Sequence, residues 1–281
     1  MKRILVVGAG QMGSGIAQVA AQTGFQVTVL DSFAASLEKS KTGIEKSLAK
    51  LFEKKIISES PSEILARIVY SEKMIASELL DVSLAIEAAT ENVAIKEKIF
   101  RELDEKLPAS AILASNTSSI SITKIAGFTK RPSQVTGMHF MNPVPIMKLV
   151  ELIEGQQTST EVSKVVRATA EKMGKICIVS KDKSGFVINR VLMPMINEAF
   201  FVLEEGTASA EDIDLGMKLG TNQPMGPLAL ADLIGLDTCL SIIEVMYQDF
   251  RDEKYKPCAL LRKYVESGRM GKKSGHGVYQ Y

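Results

Sequence analysis

The sequence predicts an α/β fold with a mostly parallel sheet, followed by a smaller all-α domain. Up to residue 183, short β-rich runs alternate with helical segments, which is typical of parallel sheets covered by helices. A glycine-rich turn joins the first of these runs to the first helix. After Gly185 only helical segments follow. We therefore expect one domain over residues 1–184 and a second over residues 185–281.

The first strand and the first helix are joined by a glycine loop. An apolar run at residues 4–7 is followed by the loop, a helix over residues 11–22 and a second apolar run at residues 27–30, which Asp31 closes. Strand, glycine turn, helix, strand and acid form the arrangement of a Rossmann-like dinucleotide site. The loop residues predicted to bind the cofactor are Gly8, Gly10, Gln11, Met12 and Gly13.

Asp31 predicts which dinucleotide binds. A carboxylate at this position accepts hydrogen bonds from the hydroxyls of the adenine ribose, and it repels a 2′-phosphate. The free N–H groups and partial positive charge at the start of the first helix suit the pyrophosphate. The sequence therefore predicts NAD as the cofactor in preference to NADP.

The later elements follow from hydrophobic periodicity and from turn residues. Runs rich in β-branched and other apolar residues predict strands at 68–70, 82–86, 111–114, 135–140, 149–153 and 175–179. Amphipathic segments predict helices at 36–57, 61–67, 92–107 and 161–173 in the first domain. In the second domain the same pattern predicts helices at 186–205, 211–219, 227–234, 237–250 and 257–266.

Composition excludes several classes of protein. With 24% charged residues and a net charge of +1, the chain has no basic character that would indicate nucleic-acid or membrane binding. No apolar run approaches transmembrane length, and the N-terminal apolar run is too short for a signal peptide. The three cysteines are scattered, so we expect no disulfide framework, no metal site and a cytoplasmic location.

His139 is one of only two histidines and is a candidate acid/base. It ends an apolar run and precedes a loop with two prolines, so it lies near a strand end. Glu151 stands in the next predicted strand, where a connecting loop could bring it beside the imidazole. A carboxylate there would stabilise the imidazolium of a dehydrogenase base. By pattern alone, a structural histidine at a strand end is the more common interpretation.

Two further polar features could either bind a ligand or have only a structural role. Residues 115–119 follow a strand directly, so their side chains should lie on the same edge as the glycine loop, but serine and asparagine also cap helices. Lysines 46, 50, 54 and 55 line the helix after Asp31, which is typical of an ordinary solvated face. Ser47 and Lys54 are seven positions apart and so share one face of that helix.

Together these motifs resemble the L-3-hydroxyacyl-CoA dehydrogenase family, and most closely its short bacterial 3-hydroxybutyryl-CoA dehydrogenases. The resemblance covers the whole chain, and the motifs occur in the same order as in the family. Its motifs are the segments 139–143 (HFMNP), 115–118 (SNTS), 185–190 (GFVINR), 222–227 (NQPMGP) and 271–279 (GKKSGHGVY), together with Glu151.

The resemblance implies roles for individual residues. His139 resembles the catalytic base and Glu151 its orienting partner, while Ser118 and Asn189 resemble residues that reach the reacting groups. On the cofactor side, the family's contacts fall on Glu91, Lys96, Asn116, Ser118 and Lys273. On the substrate side, the matching positions are Ser47, Lys54, Ser118 and Asn189.

The implied activity is NAD-dependent interconversion of 3-hydroxybutyryl-CoA and acetoacetyl-CoA by hydride transfer. The implied partners are an acyl-CoA substrate and a second copy of the chain in a homodimer. Two alternatives stay open at this point. One is a related β-hydroxyacid dehydrogenase that acts on a free acid, and the other is a non-catalytic NAD-binding protein.

Overall fold

A computed structural model describes residues 3–281; residues 1 and 2, with which the predicted first domain begins, lie outside the described residues. The chain divides into two compact units, of which the first ends at Lys183 and the second is Ser184–Tyr281. The expected division between residues 184 and 185 lies one residue from this limit.

The first unit is built on an eight-stranded sheet with the order β3-β2-β1-β4-β5-β6-β7-β8. The strands are β1 (Arg3–Val7), β2 (Gln26–Leu30), β3 (Ile68–Ser71), β4 (Val82–Glu87), β5 (Ile112–Ser115), β6 (Val135–Phe140), β7 (Leu149–Glu154) and β8 (Ile176–Lys181). All neighbouring strands pair in parallel except β6 and β7, which are antiparallel. The predicted mostly parallel, Rossmann-like sheet is confirmed.

Helices connect the strands of this unit. They are α1 (Gln11–Gln22), α2 (Ala34–Glu53), α3 (Pro61–Leu65), α4 (Val93–Lys106), α5 (Ile122–Ala126) and α6 (Thr160–Lys172). Helices α4 and α6 lie within one residue of their predicted bounds. The larger differences are that α2 is Ala34–Glu53 rather than residues 36–57, that α3 ends at Leu65 rather than at 67, and that the sequence does not predict α5.

The core of the first unit lies between the sheet and its helices. Ile4 and Val6 of β1 pack in one cluster with Ile16 and Ala20 of α1, and all four side chains are fully buried. Leu5, which points to the opposite face of the sheet, is also fully buried. Burial on both faces explains why β1 is a continuous apolar run rather than an alternating one.

The second unit is helical. Its helices are α7 (Ile188–Glu204), α8 (Ala210–Gly220), α9 (Pro227–Ile234), α10 (Leu236–Phe250) and α11 (Ala259–Glu266). They pack around a shared core that includes Phe200, Leu228, Ile243 and Leu261. The predicted all-α domain is confirmed, although α7 and α11 each begin two residues later than expected. Within residues 3–281, none of the helices has the length and apolar character needed to cross a membrane.

Candidate active site

The chemistry-bearing residues of the first unit gather at one edge of its sheet. Gly8 follows β1, and Asp31 follows β2. Glu87 and Ser115 are the last residues of β4 and β5, and His139 is the last but one of β6. Because these five strands run parallel to one another, their carboxyl ends meet at the same edge, which is where open α/β sheets bind ligands.

The glycines of the loop after β1 are required by close backbone contacts. Gly8 has φ +104°, and a Cβ atom there would lie 2.7 Å from the carbonyl oxygen of Ala88. A Cβ atom on Gly13 would lie 1.8 Å from the carbonyl oxygen of Gly8. By contrast, a Cβ atom on Gly10 would meet nothing within 4 Å. The loop is therefore packed closely against β4 and α1 but is open beside Gly10.

This loop and Asp31 together fit a dinucleotide. Helix α1 begins at Gln11 without a capping side chain and without an acidic residue in its first turn, so its first N–H groups suit a pyrophosphate. The Asp31 carboxylate accepts hydrogen bonds from the N–H groups of Ala9 (2.8 Å) and Phe33 (3.0 Å), one at each oxygen. Each oxygen retains a further lone pair, which suits the hydroxyls of a ribose.

His139 and Glu151 form a buried pair on the antiparallel strands β6 and β7. Their Cα atoms are directly opposite each other in the register. The imidazole Nδ1 donates to the Glu151 carboxylate over 2.8 Å. The Glu151 side chain is fully buried and the His139 side chain is 11% exposed. This geometry fixes the tautomer that carries its proton on Nδ1 and stabilises the imidazolium form.

Glu91 and Ser118 lie together at the ends of β4 and β5. The N–H and the hydroxyl of Ser118 both donate to Glu91 Oε1, at 2.7 and 2.9 Å, and the hydroxyl of Thr117 donates to Oε2 at 2.7 Å. The Glu91 side chain is 45% exposed. The Lys96 ammonium is 3.9 Å from Glu91 Oε2, but its side chain is only 2% exposed. Glu91 thus lies at the surface of this group, with Lys96 beneath it.

Asn116 joins this group to the histidine strand. Its side-chain oxygen accepts a hydrogen bond from the N–H of Phe140 (2.9 Å), the residue after His139. Its own N–H donates to the carbonyl of Glu87 (2.8 Å). Asn116 therefore holds the ends of β4, β5 and β6 in a fixed relation to one another.

The other predicted site residues belong to other elements. Ser47 is half-buried on α2, and Lys54 is exposed and caps the end of that helix. In the second unit, Asn189 is buried in the first turn of α7. Lys273 also belongs to that unit, where its ammonium donates to Asp237 over 2.7 Å. Among residues 3–281, no three His, Cys, Asp or Glu side chains are arranged to hold a metal ion.

A cavity of about 520 Å³ lies between the glycine loop, α1, α2 and the loop that follows His139. Gly10 and Gln11 line its glycine-loop side, Ser40 and Gly43 its α2 side, and residues 142–145 its far side. It is a concave groove with a mixed polar and apolar lining, which begins three residues after His139 and continues along α2 to the turn before Ser47. An elongated ligand with both polar and apolar parts would fit such a shape.

Two residues that the sequence analysis did not single out belong to this region. Lys175 is buried, and its ammonium donates to the carbonyls of Val144 and Met147, which fixes the loop after His139. Burial lowers the pKa of Lys175. Glu87 is fully buried and contacts Lys96 and Ser115. An acid that ends an otherwise apolar strand was the available signal for Glu87, whereas Lys175 carries no local signal.

Comparison with known proteins shows the family to which the chain belongs. The model of the 3-hydroxyacyl-CoA dehydrogenase NAD-binding domain matches residues 3–183, and the model of the C-terminal domain of that family matches residues 185–281. The chain belongs to the 3-hydroxyacyl-CoA dehydrogenase family. As a member of this family it is an NAD-dependent oxidoreductase, so the predicted family, enzyme class and cofactor are confirmed.

Relatives of this dehydrogenase match it over nearly their full length. A probable 3-hydroxybutyryl-CoA dehydrogenase of Bacillus subtilis is 54% identical, with 100% of this chain and 98% of that protein covered. A probable 3-hydroxybutyryl-CoA dehydrogenase of Deinococcus radiodurans is 53% identical, with coverage of 98% and 99%. The crystal structure of (S)-3-hydroxybutyryl-CoA dehydrogenase from Ralstonia eutropha is 49% identical, with a TM-score of 0.96 and coverage of 100% and 99%.

Proposed function

We propose that this dehydrogenase interconverts (S)-3-hydroxybutyryl-CoA and acetoacetyl-CoA, with His139 as the general acid/base. The His139–Glu151 pair is the observation that carries the proposal. A histidine at the carboxyl edge of the sheet, hydrogen-bonded at 2.8 Å to a fully buried carboxylate, is arranged to exchange a proton. The names of the relatives support the choice of substrate.

In oxidation, neutral His139 takes the proton of the substrate hydroxyl; in reduction, the imidazolium returns a proton to the carbonyl oxygen. Because Nδ1 donates to Glu151, we assign the exchanged proton to Nε2. Glu151 stabilises the imidazolium that forms in oxidation, since it places a negative charge 2.8 Å from the ring. NAD, when bound, accepts or supplies the hydride.

The residues around Glu91 are proposed to face the nicotinamide half of the cofactor. Glu91 and Ser118 lie at the ends of β4 and β5, on the same edge as the glycine loop and Asp31. In dinucleotide sites the two halves of the cofactor span this edge of the sheet. Asp31 with the glycine loop therefore takes the adenosine half, and Glu91, Asn116 and Ser118 take the nicotinamide half.

The CoA part of the substrate is proposed to run along α2. Lys54 is exposed at the end of this helix, where its charge suits a phosphate, and Ser47 lies on the same side. The cavity beside residues 142–145 extends from the loop after His139 to Gly43 on α2. It therefore suits the chain that joins the CoA phosphates to the reacting acyl group. The roles of Asn189 and Lys273 stay predictions.

The test is an absorbance assay of NADH consumption with three substrates. We expect rapid turnover of acetoacetyl-CoA and turnover at least tenfold slower with acetoacetate, because free acetoacetate lacks the CoA contacts. Comparable turnover of free acetoacetate would favour a free-acid dehydrogenase. A longer 3-oxoacyl-CoA as the third substrate measures the preference for chain length. Absence of turnover with all three would contradict the proposal.

We also propose that the dehydrogenase forms a homodimer in the cytoplasm. Exposed apolar side chains on the second unit support an interface; they include Val191 (69% exposed), Leu215 (51%) and Leu219 (76%). The three cysteines are unpaired thiols, which suits a reducing compartment. Light scattering on the purified protein and on a Leu219→Glu variant tests the dimer, and fractionation of the source cells tests the location.

A further inference from the structure

Glu87 is a fully buried carboxylate at the binding edge of the sheet. It is the last residue of β4, and its Oε1 accepts a hydrogen bond from the N–H of Ala89 (2.9 Å). Its Oε2 accepts from the hydroxyl of Ser115 (2.8 Å) and from the ammonium of Lys96. Each carboxylate oxygen is thus bonded, and the side chain is held from three directions.

Lys96 completes the same network from α4. Its side chain is 2% exposed, and its ammonium contacts Glu87, Ser115 (3.3 Å) and, at 3.9 Å, Glu91. A buried ammonium needs a compensating charge. Glu87 supplies that charge from within the fold, whereas Glu91 is half-exposed and already accepts three hydrogen bonds from Thr117 and Ser118.

A buried ion pair of this kind is not explained by a contribution to the stability of the fold alone. Replacement of a buried ion pair by apolar residues of similar volume is often neutral or stabilising. The carboxyl ends of β4 and β5, where Glu87 and Ser115 lie, are where a parallel sheet binds its ligand. The location of the pair therefore points to a role in binding rather than in folding.

We propose that Glu87 is a positioning residue for the nicotinamide half of the cofactor and acts through Lys96. This inference rests on the proposed function, which places Glu91, Asn116 and Ser118 on that half. Glu87 holds the Lys96 ammonium beneath Glu91 and holds Ser115 one residue before Asn116. The result is one rigid polar platform that joins β4, α4 and β5.

The first experiment compares two ligands by equilibrium titration. NADH reports on the whole cofactor site, and ADP reports only on the adenosine half at Asp31 and the glycine loop. In Glu87→Gln we expect the Kd for NADH to rise about tenfold, the equivalent of one hydrogen bond to a charged group. The Kd for ADP should stay within about twofold. Equal weakening of both ligands would overturn the proposal, because a merely structural role predicts it.

The matched control is Glu97→Gln. Glu97 lies one residue beyond Lys96 on α4, and it pairs with Arg101 at the surface over 2.7 Å. This substitution also removes one negative charge from the same helix, but from its exposed side. We expect the affinities for NADH and ADP to be unchanged. A loss of NADH affinity equal to that in Glu87→Gln would show a general charge effect and overturn the proposal.

A double-mutant cycle tests whether Glu87 acts through Lys96. If it does, Glu87→Gln combined with Lys96→Met binds NADH no more weakly than Lys96→Met alone. If the losses of NADH affinity in the two single variants are fully additive in the double variant, the proposal is overturned. The double variant also removes the buried charge that Glu87→Gln leaves unpaired, so it is the variant expected to fold best.

Ser115→Ala serves as a milder second test should Glu87→Gln fail to fold. It removes one donor to Glu87 without leaving a buried charge unpaired. NADH affinity should fall by a smaller factor than in Glu87→Gln, while ADP affinity stays unchanged. Equal losses of affinity for NADH and ADP would overturn the proposal.

None of these titrations uses an acyl-CoA. A wild type that binds NADH but does not reduce acetoacetyl-CoA would therefore overturn the proposed function. The double-mutant cycle on NADH binding would still be interpretable.

Discussion

His139 and Glu151 meet because β7 turns back along β6. Directly opposite residues in an antiparallel pair have Cβ atoms about 5 Å apart, which is the distance that an imidazole and a carboxylate bridge with one hydrogen bond. A parallel neighbour would have needed a crossover connection of a dozen or more residues. The reversal of strand direction at β7 thus places Glu151 beside His139.

Replacement of His139 tests the acid/base role. His139→Ala should lower kcat by about 10²–10⁴-fold, the usual contribution of a general acid/base. The Kd for NADH should change little, because Asp31 and the glycine loop are untouched. Steady-state kinetics with acetoacetyl-CoA and a fluorescence titration of NADH measure both quantities. A kcat near that of the wild type would remove His139 from the mechanism.

Glu151→Gln tests the electrostatic part of the pair. The amide oxygen can still accept from Nδ1, but the negative charge that stabilises the imidazolium is lost. We expect kcat to fall by on the order of 10²-fold. Steady-state kinetics with acetoacetyl-CoA measure this loss, and a titration of NADH, whose Kd should change little, is the control. An unchanged kcat would show that Glu151 has no electrostatic role.

Asp31→Ser tests the preference for NAD. The carboxylate is held in place by Ala9 and Phe33 and presents its remaining lone pairs to a ribose. Its loss should reduce the preference for NADH over NADPH by about tenfold, mainly through KM. The measured quantity is the ratio of kcat/KM for the two cofactors. A wild type that prefers NADPH, or a ratio that the substitution leaves unchanged, would refute this role.

At the scale of a single helix, α2 forms one wall of the cavity, and Gly43 lies in its middle. A Cβ atom at Gly43 would meet nothing within 4 Å. Gly43→Ala should therefore stabilise the protein by about 0.5–1 kcal/mol, because glycine is a poor residue for a helix interior. Gly43→Leu should narrow the cavity at α2 and raise KM for acetoacetyl-CoA more than KM for NADH.

Chemical denaturation and steady-state kinetics on both Gly43 variants separate the two effects. The alanine variant is the control, since its methyl group is too small to fill the cavity. An unchanged KM for acetoacetyl-CoA in Gly43→Leu would place the CoA chain elsewhere.

The element boundaries show what the sequence could predict. Helix α2 was expected to continue to residue 57, but Lys55 adopts a left-handed conformation (φ +54°), and the N–H of Ile56 donates to the carbonyl of Leu51 over 2.9 Å. This is a Schellman ending, which usually has a glycine at the position of Lys55. With lysine there, the amphipathic pattern continues past the true end of the helix, and no local signal marks the stop.

Helix α5 was missed because part of its N-terminal cap comes from a distant part of the chain. Asp182, which follows β8, accepts hydrogen bonds from the N–H groups of Ile122 (3.0 Å) and Thr123 (2.7 Å) and from the hydroxyl of Ser121 (2.7 Å). A helix of five residues has little periodicity of its own. Contacts between residues some 60 positions apart are invisible to local patterns.

The candidate site could be predicted where strand ends carry polar residues. The glycine loop, Asp31 and the group at residues 115–118 all follow apolar runs, and the parallel sheet brings them to one edge. The depth of Lys96 could not be predicted, because an isolated lysine near a helix start is typical of a solvated face. Its burial follows from Glu87, an acid nine positions earlier on a neighbouring element.

Across the whole molecule, both units bury ionisable groups whose pKa values affect stability. Burial raises the pKa of Cys239 to about 12 and that of Cys258 to about 11 in the second unit, and that of Tyr70 to about 12 in the first. Each of these groups is neutral in the folded protein at a pH where the unfolded chain has already lost the proton. Lys175 has the opposite effect on the difference in bound protons between the two states, because burial lowers the pKa of its ammonium in the folded protein.

The sign of the effect on stability follows from proton binding. Above the ordinary values, 9.0 for a thiol and 10.0 for a tyrosine, the folded state holds more protons than the unfolded state, so the free energy of unfolding falls as pH rises. The fall should continue to about pH 12, where the buried groups also ionise. The pKa values of Cys177, Tyr247, Tyr279 and Tyr281 are also raised, so these groups act in the same direction. Lys175 opposes them, and the net effect is a loss of stability.

We therefore expect the free energy of unfolding to decrease steadily between about pH 9 and pH 12. Urea unfolding at a series of pH values, with a reductant present, measures this slope. Cys239→Val is the matched variant, because it keeps an apolar side chain of similar size in the core and removes one buried thiol whose pKa is raised. The slope of its pH profile should therefore be shallower than that of the wild type. A flat or rising profile in the wild type, or an unchanged slope in the variant, would show that these buried groups do not control alkaline stability.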